Sequence, residues 1–358
     1  MGLKREERHR VQDFIVHTLP DHPGDITRVT AVEFSISRQA VNRYLRALKA
    51  EHVIEARGAG RNTTYSLVVT EHVIRLDIVP GLAEHRVWRD NVLPLLPEMR
   101  QNVREICEYG FTEMFNNVIE HSESQVADIA VLYDAVKVEL WVADEGVGIF
   151  DKIQARFGLD DSREAILELA KGKLTSDPDN HTGEGIFFTS RMFDKFEILS
   201  GKLAFLVKPA VWDILLEMDE REKGTAVCME IRRDSPRTKK AVFDRYSVDD
   251  GEFGFSRTVI PVTLLQYEGE SLVSRSQAKR LIARFERFKE VILDFKGIVT
   301  VGQAFSDEVF RVFRDSHPKV NLIYVNANED VERMIRRVLP DRALADSLKG
   351  REEAYSDT

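Results

Sequence analysis

Cysteine is close to absent: Cys107 and Cys228 are the only two in 358 residues. Both lie in apolar-periodic segments, the setting of a buried reduced thiol, so a disulfide-stapled secreted scaffold is excluded and a cytoplasmic location is expected. The nine histidines are scattered without the paired spacing of a zinc site, and no structural transition metal is expected. Nowhere does an apolar run approach the ~18 residues needed to span a bilayer. The amino-terminal MGLKREERHR leads into an amphipathic helix and not a continuous apolar signal region, so no membrane partner is expected. Basic charge is in deficit: 51 Lys and Arg stand against 60 Asp and Glu, a net charge of −9. That balance argues against non-specific coating of nucleic acid but allows a locally basic module.

What is present is globular: 43% hydrophobic and 31% charged residues, in a chain long enough for two or three domains with their own cores. In residues 111–121, FTEMFNNVIEH, helical spacing puts Glu113, Asn117 and His121 on one face. Phe111, Met114, Phe115, Val118 and Ile119 lie largely around the other side and read as core. Further on, Asp144, Gly146 and Gly148 follow an apolar strand over residues 137–143. Gly183 and Gly185 flank Glu184 and open an apolar helix over residues 186–193. Gly224 and Thr225 precede a strand over residues 226–231.

Taken in order, these segments resemble the N, G1 and G2 boxes and the terminal Gly-Thr of the GHKL ATPase superfamily, which includes sensor histidine kinases and anti-sigma-factor serine kinases. The resemblance covers residues 83–232 and implies a site for ATP and Mg²⁺. Asp144 would accept the adenine exocyclic amine, at a place where guanine presents a carbonyl. Gly146 and Gly148 would let the backbone approach base and ribose without a Cβ clash. Asn117 would offer a neutral oxygen to Mg²⁺, and Gly183 and Gly185 would expose backbone N–H groups at a helix start to the phosphates. Thr225 would support the adenine edge beside Asp144. Lys171 and Lys173 fall in a polar Gly-, Lys- and Asp-rich stretch that is the ATP lid of the resembled family, where they would clamp the γ-phosphate. Glu113 is the candidate general base, activating water in an ATPase or a serine hydroxyl in a kinase. Glu184 departs from the pattern by placing an acid between two phosphate-binding glycines.

Ahead of this module, residues 4–68 read as three helices and a hairpin, an order that resembles the winged helix-turn-helix of bacterial transcription regulators. Ser37 caps a helix whose outward side chains include Arg38, Gln39, Asn42 and Arg43, suited to base edges and phosphates in a major groove. Arg57 and Arg61 flank the tip of the wing. Beyond a polar linker at residues 233–240, strands alternate with helices, which suggests a small βαβ-type domain. Residues 291–313 resemble the STAS fold of anti-sigma-factor antagonists, and more closely a STAS-like domain of unknown function. At the antagonists' phosphorylated serine stand Gly302, Gln303 and Ala304, with Ser306 slightly beyond.

The expected architecture is α/β and α+β multidomain. A winged helix occupies residues 1–70, a GHKL sandwich with a mixed sheet and helices on one face residues 71–235, a STAS-like domain residues 250–345, and a polar tail residues 346–358. The favoured function is an ATP-binding, slowly hydrolysing regulator, a homodimer that binds double-stranded DNA through the winged helix and a protein partner through the STAS-like domain. The alternatives are a serine/threonine kinase of the anti-sigma-factor type and a nucleotide-binding interaction module without DNA contact.

Overall fold

Residues 2–174, 183–209, 211–247, 255–266 and 270–339 are described by the computed structural model, in which α/β elements form three sheets. The amino-terminal unit packs α1 (Gly2–Thr18), α2 (Ile26–Glu33) and α3 (Arg38–Ala50) ahead of the antiparallel hairpin β1 (Ile54–Arg57) and β2 (Thr64–Leu67). The periodic apolar residues meet in one small core: Val11, Ile15, Leu19, Ile26, Val41, Leu45, Leu48 and Ile54. Ser37 starts α3 by accepting the Ala40 N–H at 3.2 Å, as a capping serine should.

The central unit begins with β3 (Thr70–Asp77) and α4 (Glu84–Val87). The helical path widens over Trp88–Val92 and tightens into a 3₁₀ turn at Leu93–Leu95, where Pro94 supplies no N–H to continue it. Then come α5 (Gln101–His121), β4 (Val126–Tyr133), β5 (Lys137–Asp144), α6 (Ile149–Phe157), α7 (Ser162–Lys171) and α8 (Gly185–Met192). The unit closes with β6 (Lys195–Lys208), β7 (Trp212–Arg232) and α9 (Lys239–Arg245). On β4 and β5 the buried residues alternate with half-buried ones, the pattern of a sheet with one face on a core.

Two expectations need correction here. The sheet order is β3-β4-β5-β7-β6 and every pairing in it is antiparallel, so it is not mixed. The long connection through α6, α7 and α8 carries the chain past β5 to an edge position, and β7 returns between β5 and β6 antiparallel to both. The strand expected over residues 226–231 is the end of a much longer one, β7, which pairs with the equally unbroken β6. A bulge at Ser200–Gly201, with Gly201 at φ +60, bends the ladder without ending it.

The carboxy-terminal unit comprises β8 (Arg257–Pro261), α10 (Arg275–Ile282), β9 (Glu290–Asp294), α11 (Gln303–Asp307), α12 (Arg314–Ser316), β10 (Asn321–Val325) and α13 (Glu329–Val338). Its three strands are parallel in the order β10-β9-β8, and the helices supply the crossovers that parallel pairing requires. The expected tail at residues 346–358 and the last residues of the expected STAS-like domain lie outside the described residues. One continuous core joins this unit to the central one. Among the described residues, no helix is long and apolar enough to cross a membrane.

Candidate functional site

The candidate site grows from the polar side of α5. Val103, Ile106, Cys107, Phe111, Met114, Phe115 and Val118 are buried, and burial pushes the Cys107 thiol up to about 12. A Cβ on Gly110 would come within 2.4 Å of the Phe193 ring and 3.0 Å of the Met229 sulfur, so α5 lies hard against the sheet. That packing leaves Glu113, Asn117 and His121 along the wall of a cavity of about 660 Å³, within the usual range for small-molecule sites. The other walls come from distant parts of the chain: Asp144 at the end of β5, Thr225 on β7, and Gly183–Gly185 at the start of α8.

Asp144 is 7% exposed and accepts N–H bonds from Gly146, at 2.8 Å to Oδ1, and from Thr225. Burial nevertheless raises its pKa above the usual carboxylate value. The Thr225 hydroxyl accepts the Ile149 N–H at 3.0 Å, which ties β7 to the start of α6. Gly146 and Gly148 are glycines for a different reason than expected. A Cβ on Gly146 would lie 1.9 Å from the Ser122 carbonyl oxygen, and one on Gly148 2.5 Å from the Ser200 hydroxyl. Both allow the chain to approach itself, and neither lines the cavity.

Gly183 adopts φ +67, a conformation that glycine reaches without strain. Gly185 has no room for a side chain, because its Cβ would fall 2.0 Å from Glu113 Oε2. The Glu113 carboxylate therefore rests on the first turn of α8, where N–H groups and the helix dipole favour negative charge. Burial, then the charges of Glu113 and Glu184, push the Tyr109 hydroxyl upward. Among the described residues no group of three or more His, Cys, Asp or Glu side chains could hold a metal. A Mg²⁺ ion here would draw on Asn117, water and its ligand's own oxygens, the donor set this hard cation accepts.

The two lysines expected to clamp a phosphate point elsewhere. Lys171 is 1% exposed, and its ammonium donates to Glu168 Oε1 at 2.8 Å, the Arg280 carbonyl at 2.9 Å and the Ala283 carbonyl at 3.1 Å. All three of its donors are committed, one to its own helix α7 and two to the carboxy-terminal unit. Lys173 donates to the Arg287 carbonyl at 3.0 Å and lies over the Phe288 ring. Residues 175–182 of the expected lid lie outside the described residues.

The cavity's lysine and arginine come from α6, outside the segments that carry the GHKL resemblance. Lys152 and Arg156, one turn apart, both line it. Lys152 donates to the His121 carbonyl at 2.6 Å and to Glu123 at 2.9 Å, a cation at the carboxy-terminal end of α5. The signal was available: an amphipathic IFDKIQARF stretch after Gly148, ended by Gly158 in the left-handed conformation. A larger cleft of about 1440 Å³ lies between the β6–β7 hairpin and the carboxy-terminal sheet. Two pairs of its charges meet each other, Arg191 with Asp213 and Arg163 with Glu217, and Arg257 pairs with Glu290.

On α3, Arg38, Gln39 and Arg43 are exposed and Asn42 is half-buried. Arg57 is exposed and donates to Glu55 at 3.0 Å. The Arg61 side chain lies outside the described residues.

Residues 277–332 match the family model of a STAS-like domain of unknown function (DUF4325). The match runs from α10 into α13 and includes Ser306, which is fully buried. No curated protein matches the chain.

Proposed function

We propose that the protein is an ATP-binding regulator whose nucleotide site is the α5–β5–α8 cavity, and that its amino-terminal unit is a winged helix that contacts DNA. The observation carrying this reading is the convergence of Glu113, Asn117, Asp144, Thr225 and the Gly183–Gly185 turn on one cavity. These residues span more than a hundred positions, and each brings the chemistry that one part of ATP with Mg²⁺ requires. Asp144 offers a buried acceptor for an exocyclic amine, and a bound amine favours its ionised form. Asn117 offers an oxygen to the cation. The start of α8 offers N–H groups to phosphates, and Lys152 and Arg156 line the same cavity. Glu113, one turn before Asn117, is the base for an attacking water.

The amino-terminal unit is placed to respond. Ala135 and Val136, at the β4–β5 turn, pack into its core, and His17 of α1 lies 3.6 Å from Asp234, just past β7. From that turn β5 runs about 25 Å to Asp144, so a single strand connects the two sites.

The test is incubation of the purified chain with Mg²⁺ and γ-³²P-ATP, alongside calorimetric titration. Wild type binds ATP and releases inorganic phosphate. Asp144→Ala weakens binding by about 1–3 kcal/mol, the scale of a lost charge-assisted hydrogen bond. Glu113→Ala retains binding and releases phosphate ~10²-fold more slowly, as for a lost general base. Absence of ATP binding by wild type would remove the reading, and label on protein instead of in free phosphate would make the protein a kinase.

A further inference from the structure

The carboxy-terminal unit grips the nucleotide cavity from behind. Three lining residues, Phe157, Leu169 and Leu174, sit on or beside α6 and α7, and a fourth, Phe187, belongs to α8. Arg284, at the end of α10, stacks its guanidinium 4.6 Å from the centre of the Phe157 ring and pairs with Glu168 Oε2 at 2.9 Å. Glu168 takes the Lys171 ammonium on its other oxygen, and that ammonium also binds the Arg280 and Ala283 carbonyls. Arg280 reaches back to Glu164 at 2.8 Å. Thr258 on β8 donates to the Lys171 carbonyl at 2.8 Å, and Arg287 donates to the Lys173 carbonyl at 3.1 Å. Behind Phe187 stands Phe255, 4.5 Å between ring centroids, and behind that Phe288 at 5.3 Å. Gly172 fits between Phe255 and Phe187 with no space for a Cβ.

Such a network is sensitive to loss of one member. Removing one partner from a buried ion pair leaves its mate uncompensated in a low-dielectric setting. Arg284 also occupies a left-handed conformation at φ +68, uncommon for a residue of its size. A position that tolerates this and simultaneously touches Phe157 and Glu168 is a joint between two units.

We propose that the carboxy-terminal STAS-like unit is a built-in regulator of the nucleotide cavity: through Arg284, Lys171 and Phe255 it holds the wall made by Phe157, Leu169, Leu174 and Phe187, so that docking of this unit and nucleotide binding reinforce each other. This rests on the nucleotide reading of the cavity. Two states follow, docked with a formed wall and released with a loosened one, and whatever shifts the unit between them tunes nucleotide affinity. The coupling is reciprocal by linkage, so nucleotide must tighten docking by the same factor that docking tightens nucleotide.

The experiment uses the full chain, a fluorescent ATP analogue with Mg²⁺, and amide hydrogen exchange. Arg284→Asn removes the guanidinium while keeping a side chain that tolerates the left-handed conformation. Arg287→Ala, at an exposed contact to the same segment, serves if the first variant fails to fold. The expected result is faster exchange at residues 169–174 and analogue affinity lower by about 5- to 100-fold, within the usual span of allosteric coupling. In wild type the analogue slows exchange at residues 280–288, which do not line the cavity. Faster exchange at 169–174 with unchanged affinity overturns the proposal while leaving the nucleotide site intact. A wild-type chain that binds no analogue overturns both, and the two failures are distinct.

Discussion

Asp144 carries an electrostatic conflict that can be measured without any ligand. Burial raises its pKa, against the N–H bonds from Gly146 and Thr225 that favour the ionised form. A carboxyl whose folded-state pKa lies above its unfolded value, about 3.9, binds its proton more tightly when folded. Its contribution to stability is complete below the unfolded pKa and is lost as pH rises through the folded one. At neutral pH the ligand-free chain therefore holds an ionised carboxylate at a net cost. Asp144→Asn keeps an oxygen for the Gly146 N–H and removes the charge. The variant should melt above wild type at pH 7, with the gap closing as pH falls toward 4. An equal or lower melting temperature across that whole range would show that the N–H bonds outweigh desolvation. On the nucleotide reading, the same cost would favour a ligand amine, which stabilises the charge that burial disfavours.

At the scale of elements, the cavity depends on chain segments that approach too closely for side chains. Gly146 lies against the Ser122–Ser124 turn after α5, and the Val147 N–H bonds the Ser122 carbonyl at 2.7 Å. Gly146→Ala forces backbone against backbone, and overpacking of this kind costs about 1–3 kcal/mol. Its urea midpoint should fall, whereas Gly24→Ala, with nothing within 4 Å of its Cβ, should be neutral or mildly stabilising. Equal midpoints for the two variants would mean that the turn yields freely. These glycines also mark where reading residues in order succeeds and where it stops. The face of α5, the acid ending β5 and the turn before α8 were legible, because helical and strand periodicity and local glycine chemistry place them. The fate of Lys171 was not, because its acceptors at Arg280 and Ala283 lie more than a hundred residues away. The antiparallel sheet was illegible for a similar reason: no local pattern records that β7 returns between β5 and β6. The α6 cations are hard to assign from the sequence for a weaker reason, since a nine-residue amphipathic stretch does not show which cavity its polar side faces.

Across the whole molecule, the central unit touches its two neighbours at different ends: the carboxy-terminal unit beside the cavity, and the amino-terminal unit at the far end of β5. The carboxy-terminal unit shares its core and braces α6 and α7, while the amino-terminal unit sits on the β4–β5 turn, with His17 at 3.6 Å from Asp234. The acidic chain balance, −9 overall, is not distributed evenly: the outward side of α3 presents Arg38, Arg43 and Arg46, all exposed. A helix of this kind can place Gln39, Asn42 and Arg43 against base edges while neighbouring cations meet phosphates. If the amino-terminal unit reads DNA, selection from random-sequence duplexes with the full chain should enrich a defined motif, and ATP should alter its affinity. Arg43→Ala should then relax or abolish the motif at a cost of about 1–3 kcal/mol per lost bidentate contact. If Arg38 meets phosphate, Arg38→Ala should weaken all sequences about equally and lower the slope of log affinity against log salt by about one. A winged unit used only for protein contacts yields no enriched motif with or without ATP, and under that outcome Arg43→Ala changes the oligomer mass seen by light scattering. The two accounts thus differ in sign at one residue, because a base contact leaves assembly untouched and a protein contact leaves sequence preference absent.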